Sequence, residues 1–404
     1  LIKEFTILVL LGLIGLIVSV TAQFFSAKAA VGFATKVRHH LFEHLMFGGS
    51  VNIPDFDGAI ENAGGMNNAW TSNDYTNFYD IVPAQNVETA FWVESDRMLA
   101  LAFSDKALEV QRHVVIEEFK QTCLNRPYGD MSHHLRAMIY KQHPYRFPVI
   151  GKEIAHIEKV TQDDVREFFY SHYAPNNAVL SVSGNISLDD TRRLAEKWFG
   201  PIERRNVTQR TYPSEPAQTE PRYLEVSGNV PQLAMVKAYR MPAYGEPNYI
   251  ECDIITDLLA SGRSSRFYRN LLMKTGVFTE IDASIIGSDE PGFLMLNSRV
   301  ANNDMKTVET ANELIMSEVQ KLIDGDVSQY ELTRTINRFE SNFTFSSMGF
   351  LAKAQSLANY VMHNEDANGI VERYRKVTVD DIARVASEIF DANRCSTLVY
   401  MPQK

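Results

Sequence analysis

Two histidines and a glutamate stand within five residues of one another near the start of the chain, as His40, Glu43 and His44. Positions i, i+3 and i+4 of an α-helix share one face, so the two imidazoles and the carboxylate point to the same place. Both imidazoles can then bind Zn²⁺, while the carboxylate stands beside the metal. The spacing predicts a hydrolytic zinc site in which Glu43, as general base, takes a proton from zinc-bound water. That is the chemistry of peptide-bond hydrolysis.

The residues around this motif favour a buried helix that ends abruptly. Leu41, Phe42 and Leu45 give the segment an apolar face, and Gly48 and Gly49 can end the helix in a left-handed turn. A histidine on a helix is more often structural or solvated, which is the alternative interpretation. The apolar face and the glycine stop favour the zinc site.

A hydrolytic zinc site needs a third protein ligand and leaves the fourth position open for water. A predicted helix at 107–124 presents Glu117 and Glu118 directly after the apolar residues 114–116. Adjacent glutamates on a helix normally lie on its solvent-exposed face. Chemistry alone therefore leaves open whether either carboxylate is the third ligand.

The elements that must position these residues follow from the apolar periodicity. Strands are predicted at 68–71 and 76–82 around a turn at Asn73-Asp74, and helices at 86–100 and 107–124. Later in the chain, strands are predicted at 232–240, 277–286 and 292–300, and helices at 249–260 and 305–323. Runs of strands beside runs of helices indicate an α+β fold, with helices packed on one face of a mainly antiparallel sheet.

The chain contains an internal repeat. Residues 159–165 and 376–382 share the pattern Lys-Val-Thr followed by two aspartates, which predicts a helix capped by threonine in each copy. A β-rich string follows each helix, at 178–183 and at 396–401. The proline-rich segment 201–221 between the copies has the character of a linker. Two homologous halves are therefore predicted.

Composition excludes several classes of protein. The 404 residues include 45% hydrophobic and 22% charged types, which is ordinary globular usage. The net charge of −10 and the lack of a long basic stretch argue against a nucleic-acid partner. Cys123, Cys252 and Cys395 lie far apart, so we expect three core residues rather than a disulfide framework or a thiolate metal site.

Residues 5–22 are apolar and uncharged. This run reads as an export signal or, at roughly 18 residues, as an uncleaved membrane anchor, with a buried helix as the remaining alternative. We therefore expect an exported protein, periplasmic or anchored facing outside the cytoplasm. The predicted organisation is a leader at 1–22, a zinc-bearing half at 23–200, a linker at 201–221 and a metal-free half at 222–404.

Several segments together resemble the pitrilysin/insulinase family of zinc peptidases. They are the inverted His-x-x-Glu-His order beginning at His40, the following Gly-Gly, the segment 63–76 and the Arg-His-Val-Val-Ile-Glu-Glu segment at 112–118. The likeness extends to the C-terminus and includes a Gly-Arg-Ser-Ser-Arg turn at Gly262. The resemblance implies two homologous halves that form a clam-like chamber, with one zinc ion in the first half.

The resemblance also implies roles for single residues. It makes Glu118 the third zinc ligand and Glu117 its neighbour. Gln111 stands two turns earlier, where the family often has a glutamate, and a neutral amide there removes a charge near the metal. Asn68 is a candidate to hold the backbone of a peptide that adds to the strand, and the alternative is a turn residue with a locally satisfied amide.

The second half carries no zinc motif, because Asp253, Thr256 and Asp257 fall opposite the three motif residues. Arginines and tyrosines of that half commonly grip the peptide in this family. The candidates, each with a solvated helix face as the alternative, are Arg334, Arg338 and Tyr360.

One departure concerns residues 23–38, which lack the Asn-Gly turn and the Val-Gly-Ser ending of the strands that usually open the family's fold. We expect exposed sheet edge and apolar surface beside the site as a result.

The leading hypothesis is a zinc-dependent endopeptidase acting on extended peptides. The alternatives are an inactive homologue that serves as a structural or peptide-binding subunit of a pair or homodimer, and a metal-free membrane-anchored scaffold.

Overall fold

The computed structural model describes residues 40–207 and 211–403. The predicted leader at 1–22 and the departing segment 23–38 lie outside these ranges. Within them, no helix combines the length and the apolar character that a membrane span requires.

The first half is mainly helical around one β-hairpin. Its helices are α1 (40–45), α2 (Phe56–Asn62), α3 (Val87–Leu99), α4 (Asp105–Phe119), α5 (Met131–Ile139), α6 (Ile154–Glu158), α7 (Gln162–His172) and α8 (Leu188–Phe199). Strands β1 (Met66–Thr71) and β2 (Thr76–Ile81) form an antiparallel pair in which Thr71 lies opposite Thr76. The predicted second long helix is α4, prolonged by a π-helical turn at Lys120–Leu124.

The second half is built on a five-stranded sheet. Its strands are β3 (Arg222–Gly228), β4 (Ala234–Arg240), β5 (Phe278–Ile286), β6 (Phe293–Val300) and β7 (Cys395–Pro402), and its helices are α9 (Tyr249–Ala260), α10 (Met305–Ile323), α11 (Gln329–Ser346), α12 (Phe350–Met362), α13 (Ile370–Arg375) and α14 (Val379–Ile389). The strand order is β3-β7-β4-β6-β5, and β3 with β7 is its parallel pair. The predicted α+β fold with a mainly antiparallel sheet is confirmed.

Both faces of this sheet are covered. On one face, Met235, Tyr239 and Val399 belong to a core shared with α9, α10 and α14. On the other face, Val236 and Ala238 pack in a cluster with residues of α5, which comes from the first half. Alternate residues of β4 thus contact different halves of the chain, because side chains alternate across a strand. The sequence did not predict this second layer.

The repeated helix starts are confirmed. Thr161 caps α7 and Thr378 caps α14, each through a capping box with the aspartate three residues later. The strand that follows the second copy is β7. The strand predicted at 178–183 is wrong, because this segment is irregular and finds no neighbouring strand among the described residues. Leu180 there is 51% exposed.

The three cysteines are free and buried, as predicted. Cys123 belongs to the core of the first half, and Cys252 and Cys395 belong to that of the second. Burial raises the pKa of the Cys252 thiol to about 12, so this thiol is protonated at neutral pH.

A buried arginine joins the hairpin to α2 and α3. Arg97 is 3% exposed and donates to Glu94, and its guanidinium lies 4.1 Å from the ring centre of Phe56 and 4.3 Å from that of Phe78. Asp80 of β2 lies in the same cluster. Removal from water, and then the nearby charge of Glu94, raise its pKa to about 8.

The raised pKa of Asp80 has a consequence for stability. From the ordinary aspartate pKa near 4 up to about pH 8, the unfolded chain releases a proton that the folded chain keeps. The free energy of unfolding should therefore fall as pH rises through this window. We expect Asp80→Asn to remove that part of the pH dependence, measured as urea midpoints at pH 5.5 and pH 8.0.

The exposed Asp189 of α8 provides the matched control. Asp189→Asn should show the same change of midpoint between the two pH values as the wild type. Equal pH dependence in the wild type and Asp80→Asn would contradict the account.

Candidate metal centre

Helix α1 is held by its apolar face. Leu41 and Phe42 are 1% exposed and pack in one cluster with residues of α4 and α7. The ring of Phe42 lies 4.5 Å from that of Tyr173 and 5.4 Å from that of Phe168, centre to centre. This packing fixes the rotation of α1, and with it the direction of the polar side chains on its other face.

The helix ends as predicted, with a left-handed residue at Gly49. Its φ is +97°, and a β-carbon at this position would lie 2.8 Å from the carbonyl oxygen of Pro54. Glycine is therefore required on both counts. The turn lets the chain leave the site directly after the second histidine.

Helix α4 carries the distant carboxylate to the same place. Ser104 caps the helix by accepting from the backbone N–H of Ala107. Leu108, Val115 and Phe119 are buried in the cluster that also holds α1. Because these three residues fix which face of α4 is turned inward, Glu118 lies at the edge of that face, beside the histidines.

Three side chains converge at this point. Oε2 of Glu118 lies 2.9 Å from Nε2 of His40 and 3.2 Å from Nε2 of His44. One ligand atom from each residue lies within 4.8 Å of the other two, and the described residues contain no second group of this kind. The structure thus brings together the three residues that the sequence and the family resemblance named.

The donor set fits zinc. Two imidazole nitrogens and one carboxylate oxygen are the ligands of many hydrolytic zinc sites. In a tetrahedron with bonds of about 2.0–2.2 Å, neighbouring ligand atoms lie roughly 3.3–3.6 Å apart. The two separations between the Glu118 oxygen and the imidazole nitrogens need to open by only a few tenths of an ångström. The Glu118 side chain is 39% exposed, so one side of the cluster is open to solvent.

The electrostatics favour a cation here. Hydrogen bonds from His40 and then from His44 hold the pKa of the Glu118 carboxyl far below its ordinary range, although partial burial acts in the opposite direction. The group is therefore a carboxylate at neutral pH. Once the imidazole protons are on Nδ1 instead, the carboxylate and the two Nε2 atoms provide one negative charge and three ligand atoms for a cation.

Glu43 stands apart from these three. Its side chain is on the same face of α1, but its Oε2 lies 3.9 Å from Nδ1 of His40 and is not part of the convergent group. It is 9% exposed and accepts a hydrogen bond from the hydroxyl of Thr71, at the end of β1. That hydroxyl lies 3.1 Å from the hydroxyl of Thr76.

Thr71 is the site residue that sequence reasoning missed. It lies in a segment already singled out as a strand, and its place opposite Thr76 in the hairpin was the available signal. No periodicity relates it to Glu43, because the two residues meet only through the packing of the hairpin on α1.

The other candidates in the first half are Glu117, Gln111 and Asn68. Glu117 is exposed and pairs with Lys120 at 2.7 Å, as a solvated helix residue does. Gln111 lies two turns before Glu118 on α4, and the described structure gives it no hydrogen bond to the three convergent residues. The exposed Asn68 accepts from the N–H of Ala69 at 2.8 Å, so its amide oxygen is satisfied locally. Their roles at the site stay predictions.

Two of the three candidates in the second half, Arg334 and Arg338, contact residues of that same half. Arg334 donates to the carbonyl oxygen of Ser264 at 3.0 Å, and Arg338 lies against Gly262 of the predicted turn. Tyr360 is half-buried on α12, and burial raises its pKa. Asp253, opposite the first histidine in the repeat, accepts from the Tyr374 hydroxyl at 2.6 Å.

Comparison with known proteins agrees with these observations. Residues 38–153 match the profile "Insulinase (Peptidase family M16)", and residues 159–339 match "Peptidase M16 inactive domain". The zinc protease PqqE of Helicobacter pylori is 26% identical over 374 residues, which are 90% of this chain and 83% of that protein.

Solved structures show the same fold. A protease from Helicobacter pylori, 24% identical, superposes with a TM-score of 0.83 over 91% of this chain and 90% of its own. The first half of the periplasmic protease PqqL from Escherichia coli, 16% identical, gives 0.70 over 90% of this chain and 82% of its own.

The convergent geometry predicts which of two adjacent glutamates matters for metal binding. We expect Glu118→Gln to weaken zinc binding by more than about 100-fold, since it removes a charged ligand. Glu117→Gln is the matched control and should bind zinc like the wild type. Competition with a chromophoric chelator measures both affinities, and equal loss in the two variants would contradict the assignment.

Proposed function

Because the chain belongs to the insulinase family of peptidases, family M16, we propose that it is a zinc-dependent endopeptidase that hydrolyses extended peptides. One observation carries the proposal. His40, His44 and Glu118 converge within bonding reach of one cation, and an uninvolved carboxylate, Glu43, lies beside them. Zinc-dependent hydrolysis requires three protein ligands and a carboxylate that is free to transfer protons.

The proposed mechanism assigns three of the side chains to metal binding and the fourth to proton transfer. His40, His44 and Glu118 would hold a single zinc ion, which supplies Lewis acidity and lowers the pKa of water. Glu43 takes the proton from the water that attacks the peptide carbonyl, and later delivers it to the leaving amine. The Thr71 hydroxyl holds the carboxylate of Glu43 in place for both transfers.

The substrate is proposed to bind along β1. This strand is hydrogen-bonded to β2 on one side, and among the described residues no strand pairs with its other edge. An extended peptide can add there through backbone hydrogen bonds. Asn68 lies in the middle of β1, and its amide would have to exchange its contact with Ala69 for the peptide backbone. A chamber between the two halves would exclude folded proteins.

We further propose that the predicted halves act as one enzyme outside the cytoplasm. Export is supported by the apolar run at 5–22 and by the fold shared with a periplasmic protease. Whether residues 1–22 remain as an anchor is answered by the intact mass of the protein recovered from cells. Assembly as a homodimer or paired subunit remains a second hypothesis about its partners.

The inactive-partner alternative makes a different prediction for the same protein. Residues 159–339 match a profile named as an inactive domain, and residues 178–180 of the first half are exposed. A peptide-binding subunit would retain the zinc ligands without using Glu43. Activity and zinc content must therefore be measured together.

Glu43→Gln should separate catalysis from metal binding. The amide cannot accept a proton, so we expect kcat/KM on a quenched fluorescent peptide to fall about 10²- to 10⁴-fold. Zinc content should remain at one ion per chain, because Glu43 is not a ligand. Elemental analysis of the same sample checks that second expectation.

The exposed Glu61 of α2 serves as the control, and Glu61→Gln should leave both quantities unchanged. A zinc-loaded wild type that cleaves no faster than Glu43→Gln would favour the inactive-partner hypothesis. A chain that binds no zinc would favour the metal-free scaffold.

A further inference from the structure

We infer that the second half of the chain positions the general base, through the β1–β2 hairpin. The inference rests on the proposed function and adds a structural task to the half that lacks a zinc motif. Thr71, the last residue of β1, holds Glu43, and the turn that follows it is bound to the second half. The chain of contacts from the second half to Glu43 is therefore short.

The tip is a compact turn organised by one hydroxyl. Ser72 Oγ accepts from the backbone N–H groups of Asp74 and Tyr75, both at 3.1 Å. The backbone N–H of Ser72 donates to the carbonyl oxygen of Tyr75 at 2.9 Å. Local bonds of this kind leave the turn little freedom to change shape. A displacement of the tip is therefore carried to residues 71 and 76, which flank it.

Three hydrogen bonds tie the tip to the second half, two of them to the loop between β5 and β6 and one to α12. Asn73 donates to the hydroxyl of Ser288 at 3.1 Å, and the carboxylate of Asp74 accepts from the backbone N–H of Asp289 at 3.2 Å. The side chain of Asn359 on α12 donates to the Tyr75 hydroxyl at 3.3 Å. Each contact joins residues more than 200 positions apart in sequence.

Tyr145 completes this junction from the first half. Its hydroxyl donates to the carboxylate of Asp74 and accepts from the backbone N–H of Glu290 at 3.2 Å. The side chain is fully buried, so these bonds are shielded from water. Burial, reinforced by the charge of Asp74, raises the pKa of the phenol. The phenol therefore keeps its proton, and its hydroxyl joins the two parts by donating to the tip and accepting from the second half.

The residue directly before the tip contacts the proposed general base. Thr71 is the third residue before Asp74, and its hydroxyl donates to Oε2 of Glu43. A carboxylate that must point at a water molecule gains precision from such a contact, because a misplacement of about 1 Å can cost about 100-fold in rate. Thr71 is a positioning residue, and the second half determines where it lies.

The chain offers a matched pair of variants for the test. Tyr145→Phe removes the hydroxyl that bridges the tip to the second half. Tyr400→Phe removes another buried hydroxyl between the halves, which donates to Asp130 at 2.8 Å away from the hairpin. The two changes delete the same atom, and both act across the junction of the halves. Only the first should affect Glu43.

Steady-state kinetics on the zinc-loaded full chain provides the first measurement. We expect Tyr145→Phe to lower kcat about tenfold, with KM within about twofold of the wild type and with unchanged zinc content. Tyr400→Phe should retain the wild-type kcat. A loss confined to KM, or an equal loss of kcat in both variants, would overturn the inference.

Thr71, directly before the tip, provides a second arm of the test. Thr71→Val should lower kcat about 10- to 100-fold, and Thr71→Ser should restore most of it because the hydroxyl is retained. Adding Tyr145→Phe to Thr71→Val should cost little more, since the contact that the hairpin transmits is already absent. If the kcat losses of the two single variants multiply in the double variant, Tyr145 and Thr71 do not act through a shared path.

Hydrogen exchange keeps the inference testable without catalysis. Amides of the hairpin, residues 66–81, should exchange faster in Tyr145→Phe than in the wild type and in Tyr400→Phe. Unchanged exchange in the hairpin would overturn the inference even if the wild type proves active. Absence of cleavage by a zinc-loaded wild type would instead defeat the proposed function, and the exchange result would still stand.

Discussion

The packing of α1 against α4 is the constraint on which the site depends. Leu41 and Phe42 on one helix and Val115 and Phe119 on the other are buried in a single cluster. This apolar contact fixes both helices in rotation and translation, so that ligands 74 and 78 positions apart in sequence come within hydrogen-bonding distance. Removing a side chain from such a cluster leaves a cavity that costs about 2–5 kcal/mol, and here it would also move the ligands.

The sequence predicted the parts of the site that are local. The spacing of His40, Glu43 and His44 follows from helix periodicity, and the threonine-capped helices follow from short-range hydrogen bonds, so both were accessible without tertiary information. Glu118 was not accessible by chemistry alone. Nothing local separates it from Glu117, and the resemblance to a known family made the choice that the packing of α4 explains.

The incorrect and the missed predictions have one physical cause, because all of them depend on contacts between distant segments. The strand predicted at 178–183 has the composition of β7 but no neighbour among the described residues, and a strand exists only as part of a pair. The layer formed by α5 on the second half's sheet and the hydrogen bond from Thr71 to Glu43 were missed for the same reason. Sequence patterns report which face of an element is apolar, but they do not report what covers it.

The structure gives the half without a zinc motif more than a covering role. Its sheet packs on α5, and its β5–β6 loop holds the tip of the hairpin next to Thr71, which contacts Glu43, the proposed general base. A single folded unit therefore unites the proposed metal ligands, the proposed general base and the strand proposed for substrate, although these belong to separate stretches of sequence.

The central claim is that two imidazoles and one carboxylate bind one zinc ion and leave a position open for water. X-ray absorption at the zinc edge of the loaded protein tests it most directly. The account predicts one ion per chain in a shell of four nitrogen or oxygen atoms at about 2.0–2.2 Å, with the outer-shell scattering of two imidazoles. A six-coordinate shell of oxygen atoms without imidazole scattering would contradict it.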